Sequence, residues 1–165
     1  MATQPCPCGF LGHPDKQCSC SPIQVQRYRN KISGPLLDRI DLNIQLSPVR
    51  YAHWAQASEG ESSSDIRKRV MSARKLQTER FGSTKTTANA FMTVSQIKKF
   101  CAIPPEGGGI LETAMNKLGL SARSLDKILK VSRTIADLEG SSIIKKEYLM
   151  EAIHYRSFDR SVLPV

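Results

Sequence analysis

The chain has 165 residues, 40% hydrophobic and 6% aromatic, and its 24 lysines and arginines outnumber 15 acidic residues to give a formal net charge of +9. This composition allows an apolar core in one domain, or in part of one domain with a small second one, and it excludes a chain that is mostly disordered. No run of about 18 apolar residues and no signal-peptide pattern is present, so we expect a soluble, cytoplasmic protein with no membrane partner.

Four of the five cysteines lie close together near the start of the chain. They form two C-x-C pairs on either side of a loop rich in glycine and proline: Cys6, Cys8, Cys18 and Cys20. Four thiolates brought together by turns can bind Zn²⁺, although C-x-x-C is the commoner spacing. The first alternative is a set of reduced thiols, and the second is a pair of disulfides. His13 could replace a thiolate or be an ordinary loop histidine, and Cys101 is expected to be a core thiol.

The next segments predict a helix and then a strand. Ser21-Pro22 is typical of a helix start, and the helix is expected to run to about residue 32, where Ser33-Gly34-Pro35 ends it. From Ile40 to Leu46 apolar residues alternate with polar ones. A period of two predicts a half-buried strand.

Arg39 lies where this turn enters the predicted strand, between Asp38 and Asp41. Two nearby carboxylates can hold a guanidinium in one orientation, and its planar fork suits bidentate contact with phosphate. The alternative is a structural arginine in a salt bridge, since most such ion pairs have no further role.

Helices dominate the rest of the chain. A polar segment over 59–64 is expected to be a hinge, and the helix after it, from 65 to about 81, should bury a stripe of Ile66, Val70, Ala73 and Leu76 or Gln77 and pair Asp65 with Arg69. Further helices are predicted over 93–101, 110–118, 121–140 and 145–153, with residues 104–109 as a break.

Arg123 lies in the first turn of the helix over 121–140, where a cation opposes the helix dipole. It is either an ordinary exposed arginine or a ligand for a nearby anion. The basic residues elsewhere form short clusters, which are either solvated helix faces or part of a nucleic-acid surface.

No phosphate-binding loop of the G-x-x-x-x-G-K-[ST] type is present, and no apolar run ends in Asp-Glu. The three histidines lie in unrelated contexts and suggest no Ser/His/Asp set. These residues therefore contain no complete catalytic centre.

Several motifs together resemble the magnesium-chelatase-like AAA+ ATPases, in the branch of the ComM/YifB competence proteins. The resemblance covers nearly the whole chain, corresponds to the C-terminal third of such a protein, and rests on Pro5-Cys6-Pro7-Cys8-Gly9, Cys18-Ser19-Cys20-Ser21-Pro22, Arg27-Tyr28, Ser33-Gly34-Pro35-Leu36-Leu37-Asp38-Arg39-Ile40-Asp41, Gly60-Glu61-Ser62-Ser63, Leu120-Ser121-Ala122-Arg123 and Arg133-Thr134-Ile135-Ala136-Asp137-Leu138-Glu139-Gly140.

The resemblance implies a mainly α fold made of the C-terminal part of an AAA+ module. Residues 1–50 would be the end of the αβα nucleotide-binding domain, with its last strand and helix and the cysteine-rich loop; residues 51–64 would be a linker, 65–160 a helical lid and 161–165 a tail. Arg39 would be an arginine finger acting in trans, and Arg123 the sensor-2 arginine that contacts ATP phosphates. Gln4 stands where the family has the sensor-1 asparagine, a departure that leaves this role in question.

The function implied is that of a fragment of an oligomeric ATPase, a homo-oligomer expected to be a hexamer, that uses ATP and Mg²⁺ with its upstream ATPase domain and acts as a motor on DNA. The isolated chain is expected to hydrolyse no ATP. The alternative, from the cysteines and the basic charge, is a zinc-bearing nucleic-acid-binding module. A subunit that inserts Mg²⁺ into a porphyrin is a third reading, based on kinship alone.

Overall fold

The computed structural model describes residues 2–37, 39–49, 55, 60–82 and 85–157. Contacts divide them into two compact units. The first contains the described residues of 1–40 and 44–57, and the second contains residues 41–43 together with those described after residue 58.

In the first unit the helix start predicted at Ser21-Pro22 is confirmed. Helix α1 spans Pro22–Arg29, with Pro22 in the first turn. The Ser21 hydroxyl accepts a hydrogen bond from the Gln24 backbone N–H, and the Gln24 side chain accepts one from the Ser21 N–H. This reciprocal cap satisfies two backbone donors that the first turn leaves unpaired. A single turn of helix, α2, follows over Gly34–Leu37.

The predicted strand after Arg39 is not formed by the described residues. Residues 42–49 form neither helix nor strand, and Leu42, Ile44 and Leu46 are 48%, 68% and 86% exposed. An alternating pattern gives a strand only where a neighbouring strand satisfies the backbone and a second layer covers the apolar face. No described residue provides either, so this structure does not show the predicted half-buried strand.

The second unit is helical. Its elements in chain order are α3 (Ser63–Phe81), a 3₁₀ turn (Asn89–Phe91), α4 (Val94–Phe100), α5 (Pro105–Leu118), α6 (Ala122–Leu138) and α7 (Lys146–Ser157). Helix α6 is central, because α3, α4, α7 and the 3₁₀ turn all pack against it. The expectation of a mainly α chain is therefore confirmed over the described residues.

Two apolar clusters form the core of this helical unit. One is built around the fully buried Ile128 and Leu149, and the other around Phe81, Ile97 and Ile144. Each Å² of apolar surface that these side chains remove from water stabilises the folded state by roughly 25 cal/mol. The core is thus made by α6 and the elements on either side of it.

Helix α5 begins five residues earlier than predicted, at Pro105, and includes the three glycines that were taken as a break. Proline is favoured in a first helical turn, because its missing N–H would have no partner there. At Gly107 a Cβ atom would lie 3.2 Å from Leu149 Cδ2 and 3.3 Å from Ile103 Cβ. Glycine therefore allows α5 to approach α7 closely.

Helix α3 buries only its C-terminal half. Ala73, Gln77 and Phe81 are buried, whereas residues 63–72 are all exposed, the predicted core residues Ile66 and Val70 among them. The Ser62 hydroxyl caps the helix by accepting a hydrogen bond from the Asp65 N–H.

The predicted ion pair on this helix is also wrong. Asp65 pairs with Lys68 at 2.9 Å, and Arg69 pairs with Glu61 at 2.8 Å. Among the described helices, none has both the length and the apolar character needed to cross a bilayer.

Candidate functional site

The structure brings all four N-terminal cysteines into one cluster. Their Sγ atoms lie within 4.8 Å of one another. The Cys6 and Cys8 sulfurs are 3.4 Å apart, and Cys18 lies 3.7 Å from Cys6 and 3.5 Å from Cys8. Zn–S bonds of about 2.3 Å in a tetrahedron place the sulfurs about 3.8 Å apart, so the cluster already has nearly the size of a zinc site.

Two glycines give the loop its shape. Gly9 and Gly12 have φ values of +82° and +78°, and the Gly9 N–H donates to the Cys6 carbonyl at 3.0 Å. Side chains are disfavoured at such angles, whereas glycine adopts them freely. The tight turn directs Cys6 and Cys8 toward the second pair.

The thiols influence one another strongly. Hydrogen bonds from the backbone at Phe10 and Ser19 lower the pKa of Cys8 to about 5. At Cys18 a backbone hydrogen bond at Cys20 lowers the pKa, but burial and the neighbouring thiols raise it to about 12 overall. One thiolate disfavours a second one so close to it. A divalent cation removes this conflict, because it binds several thiolates at once.

His13 is not part of the sulfur cluster. Its Nδ1 accepts a hydrogen bond from the Asp15 N–H at 3.0 Å, and its ring packs edge-on against Phe10. These contacts agree with the interpretation of His13 as an ordinary loop histidine rather than a metal ligand. Cys101 is buried at the end of α4, where burial raises the pKa of its thiol to about 11, as expected for a core cysteine.

Arg39 is exposed in the first unit, and its Nη1 donates to the Pro35 carbonyl at 3.3 Å. Asp41, one of the two carboxylates expected to hold it, pairs instead with Lys127 at 2.5 Å. Asp38, the other, lies outside the described residues. The expected clamp by Asp41 is therefore wrong, because a lysine of the helical unit takes that carboxylate.

Arg123 is exposed in the first turn of α6. The helix is capped by Ser121, whose hydroxyl accepts from the Ser124 N–H at 3.2 Å. Behind this turn lies the fully buried Arg156, whose Nη2 donates to the Ser124 hydroxyl at 3.1 Å. The turn thus presents one arginine to solvent while a second one supports it from inside.

Gln4, the residue at the sensor-1 position, is exposed in the first unit. Its side-chain oxygen lies beside Gly9, at 3.5 Å from where a Cβ on that glycine would be. It thus lies next to the turn that carries the first cysteine pair.

A buried polar network joins α3 to α6 and was not predicted. Arg80 makes a two-pronged contact with the Asp137 carboxylate, with one of its bonds at 2.7 Å. Asn89 donates to the same carboxylate at 2.7 Å. Arg133 reaches it from one turn earlier, at 3.1 Å, and also donates to the Ser142 carbonyl at 2.9 Å.

This network controls the charge on Asp137. Burial alone would raise the pKa of Asp137, but the hydrogen bonds from Arg80 and Asn89 and the charges of Arg80 and Arg133 hold it below its usual value. Arg80 and Asp137 are far apart in sequence, so their contact could not be predicted. The four-residue spacing of Arg133 and Asp137 on α6, which places both on one face of the helix, was the one available signal for the network.

Residues 60–156 match the family model described as magnesium chelatase, subunit ChlI C-terminal, and residues 1–54 match the one described as magnesium chelatase, subunit ChlI. The chain belongs to the magnesium-chelatase family. The resemblance found in the sequence is therefore confirmed. The Arg133–Gly140 motif of this family member supplies Arg133 and Asp137 of the buried network.

The relatives of this family member include longer proteins. It is 41% identical to the competence protein ComM of Haemophilus influenzae over 85% of its own length, and 38% identical to the protein YifB of Escherichia coli over 98%. A protein of Mycobacterium tuberculosis, Rv2897c, is 32% identical over 94%. The chain spans only 27%, 31% and 30% of these three relatives.

Proposed function

We propose that the chain works as the C-terminal part of an ATP-binding AAA+ ATPase, to which it supplies two arginines that contact nucleotide. Membership of the magnesium-chelatase family carries the proposal. In this proposal residues 1–50 end the αβα domain, 40–46 form a strand only when a sheet from upstream is present, and 65–160 form the lid. ATP and Mg²⁺ are held mainly by the upstream part.

Arg39 is proposed as the arginine finger acting in trans. Its guanidinium is exposed, and the one bond that it makes among the described residues is a long one to the Pro35 carbonyl, which supports its availability to the γ-phosphate of a neighbouring subunit. A cation aimed at that phosphate stabilises charge that develops during transfer, by a factor on the order of 10³ or more.

Arg123 is proposed as the sensor-2 arginine. Within the described part of the chain its guanidinium makes no hydrogen bond or ion pair, although it opposes the dipole of α6. A bound phosphate would give this guanidinium a partner, and its negative charge would offset the unfavourable interaction with the helix dipole. Gln4 receives no nucleotide role in this proposal.

The test is a chimera in which this chain replaces the matching part of YifB, whose upstream part must then carry the phosphate loop. We expect Arg39→Ala to lower ATP hydrolysis on the order of 10³-fold, and Arg123→Ala to weaken ATP binding. Arg67→Ala and Lys117→Ala are the matched controls, because both cations are exposed on helices and lie outside the family motifs. Equal loss in the controls and the test variants would contradict both roles.

A mixing experiment tests action in trans. Subunits with Arg39→Ala are combined with subunits whose phosphate loop is disabled. A finger that acts in trans restores hydrolysis in such mixtures, since an intact finger faces an intact phosphate loop at some interfaces. No recovery, with rings formed, would show that Arg39 acts within its own subunit or not at all.

The assembled protein is further proposed to be a homo-oligomer, a hexamer, that moves on DNA. The net charge of +9 supports a polyanionic partner. A salt titration of duplex DNA binding, between about 50 and 200 mM, separates this from the alternative. Binding by the ATP-loaded chimera but not by the chain favours the motor, and tight, steeply salt-dependent binding by the chain favours a nucleic-acid-binding module.

The zinc part of that alternative has its own support in the four-sulfur cluster. We propose that Cys6, Cys8, Cys18 and Cys20 bind one Zn²⁺ that cross-links the loop. Elemental analysis of protein purified without added metal should find about one zinc per chain. Cys6→Ser should abolish it, whereas Cys101→Ala, the matched control in the other unit, should keep it. Zinc-free wild-type protein with four titratable thiols would contradict the site.

A further inference from the structure

Three residues after the arginine turn belong to a different unit from their neighbours. Residues 41–43 are part of the helical unit, whereas the chain before and after them belongs to the first unit. Their contacts include one with α6 and one with α7. Asp41 Oδ1 lies 2.5 Å from Lys127 Nζ on α6, and the Asn43 N–H donates to the Tyr155 carbonyl on α7 at 3.0 Å.

Both contacts fall near the end of α6 that carries Arg123. Lys127 is one helical turn after Arg123 and therefore lies on the same side of the helix. Tyr155 directly precedes Arg156, which donates to the hydroxyl of Ser124. The first two turns of α6 and the end of α7 thus receive residues 41–43 next to the exposed arginine.

The ion pair has the features of a specific contact. The Lys127 side chain is only 19% exposed, so most of it is packed against protein, while the Asp41 side chain is 57% exposed. A mostly buried ammonium group is disfavoured without a partner of opposite charge, and Asp41 is that partner for Lys127.

We propose that residues 41–43 are an anchor that couples the arginine turn to α6, and that Asp41 and Lys127 are positioning residues for Arg39. Arg39 is two residues before Asp41, so its Cα lies at most about 7 Å from that of the anchored residue. Nucleotide contact at Arg123 would bear on the same end of α6 that holds Lys127. The roles of the two arginines rest on the proposed function, whereas the anchor itself does not.

Hydrogen exchange in the 165-residue chain tests the anchor without any nucleotide. Lys127→Met removes the charge and keeps most of the apolar stem. We expect the Asn43 amide to exchange about tenfold or more faster in this variant, because loss of the ion pair frees the segment. Lys117→Met, an exposed lysine on α5, is the matched control and should leave this amide unchanged.

The reversed pair Asp41→Lys with Lys127→Asp should restore slow exchange if the contact is electrostatic. An Asn43 amide that exchanges equally fast in the wild type, Lys127→Met and the reversed pair would overturn the anchor. Exchange of α3 amides in the same samples reports whether a variant is folded, and a variant that loses them is replaced by Lys127→Gln.

A double-mutant comparison in the chimera tests the positioning role. Asp41→Asn should lower the maximal rate of ATP hydrolysis without changing the KM for ATP, and it should have no further effect when Arg39 is already alanine. Equal losses in both backgrounds would overturn the link to Arg39. If Arg39→Ala alone has no effect, the proposed function fails, and the exchange measurement still decides on the anchor.

Discussion

The cysteine loop and the helical unit are held together by different means. Of residues 2–20, only Cys6 is buried, and the segment has no helix or strand. The helical unit instead has two apolar clusters and a buried network of charges around Asp137. A segment that cannot bury apolar surface needs a cross-link to be ordered, whereas a packed set of helices does not.

The largest expected effect breaks the loop and leaves the helices intact. Structural zinc contributes roughly 10–16 kcal/mol of binding free energy in small metal-dependent folds. We therefore expect Cys6→Ser, or a strong chelator, to make residues 2–20 sensitive to limited proteolysis. Circular dichroism of the helices and the urea midpoint should not change.

Cys101→Ala should give the opposite result, with an unchanged loop and a lower urea midpoint. Each of the two variants, Cys6→Ser and Cys101→Ala, thus affects one region and serves as the control for the other. A chelator that lowers the midpoint of the helical unit would show that the two regions are not independent.

Asp137→Asn should give the second-largest effect, now on the helical unit. The change leaves two arginines close together without their carboxylate, and breaking a buried charge pair in this way costs about 3–5 kcal/mol. Urea denaturation followed by circular dichroism measures it. Zinc content should remain that of the wild type, and a loss of less than about 1 kcal/mol would mean that the network is better solvated than its burial indicates.

Acid should weaken the helical unit through the same carboxylate. The lowered pKa of Asp137 means that its ionised form stabilises the folded state above its unfolded pKa of about 3.9. That stability is lost as the pH falls through the folded value, because the proton then binds the folded state as well. The unfolding free energy should therefore fall below about pH 4 in the wild type, and fall less steeply in Asp137→Asn.

The smallest effect should come from the cap of α6. Ser121→Ala removes the acceptor for the Ser124 N–H, which costs about 1 kcal/mol. Ser121→Gly should cost only a few tenths as much, because glycine leaves that N–H open to water. An unchanged urea midpoint for Ser121→Ala would indicate that Arg156 and Ser124 alone fix this end of the helix.

Local chemistry predicted the helix starts at Ser21, Thr93 and Ser121 to within one residue. Ser21, Ser62, Thr93 and Ser121 all cap helices, because a serine or threonine hydroxyl next to unpaired N–H groups acts over a few bonds only. The break predicted at Pro104 failed for a tertiary reason. Gly107 allows the close approach to α7, and a packed neighbour stabilises helix where propensity alone does not.

The sites divide in the same way. The spacing of the four cysteines was enough to predict their cluster, since short loops limit where the sulfurs can go. The family motifs identified Arg39 and Arg123, whose nucleotide roles stay predictions. The partner of Asp41 could not be predicted, because the sequence placed it beside Arg39, whereas the fold places it against Lys127.

The sequence by itself determined the helix caps, the cysteine cluster and the family, because each depends on residues that are near one another or on a recurring motif. Only the tertiary structure decided which half of α3 is buried, that Arg80 and Asp137 meet, and that residues 41–43 join the helical unit. Contacts between distant residues depend on how helices pack, and a pattern of polar and apolar residues does not specify the partner of a charge.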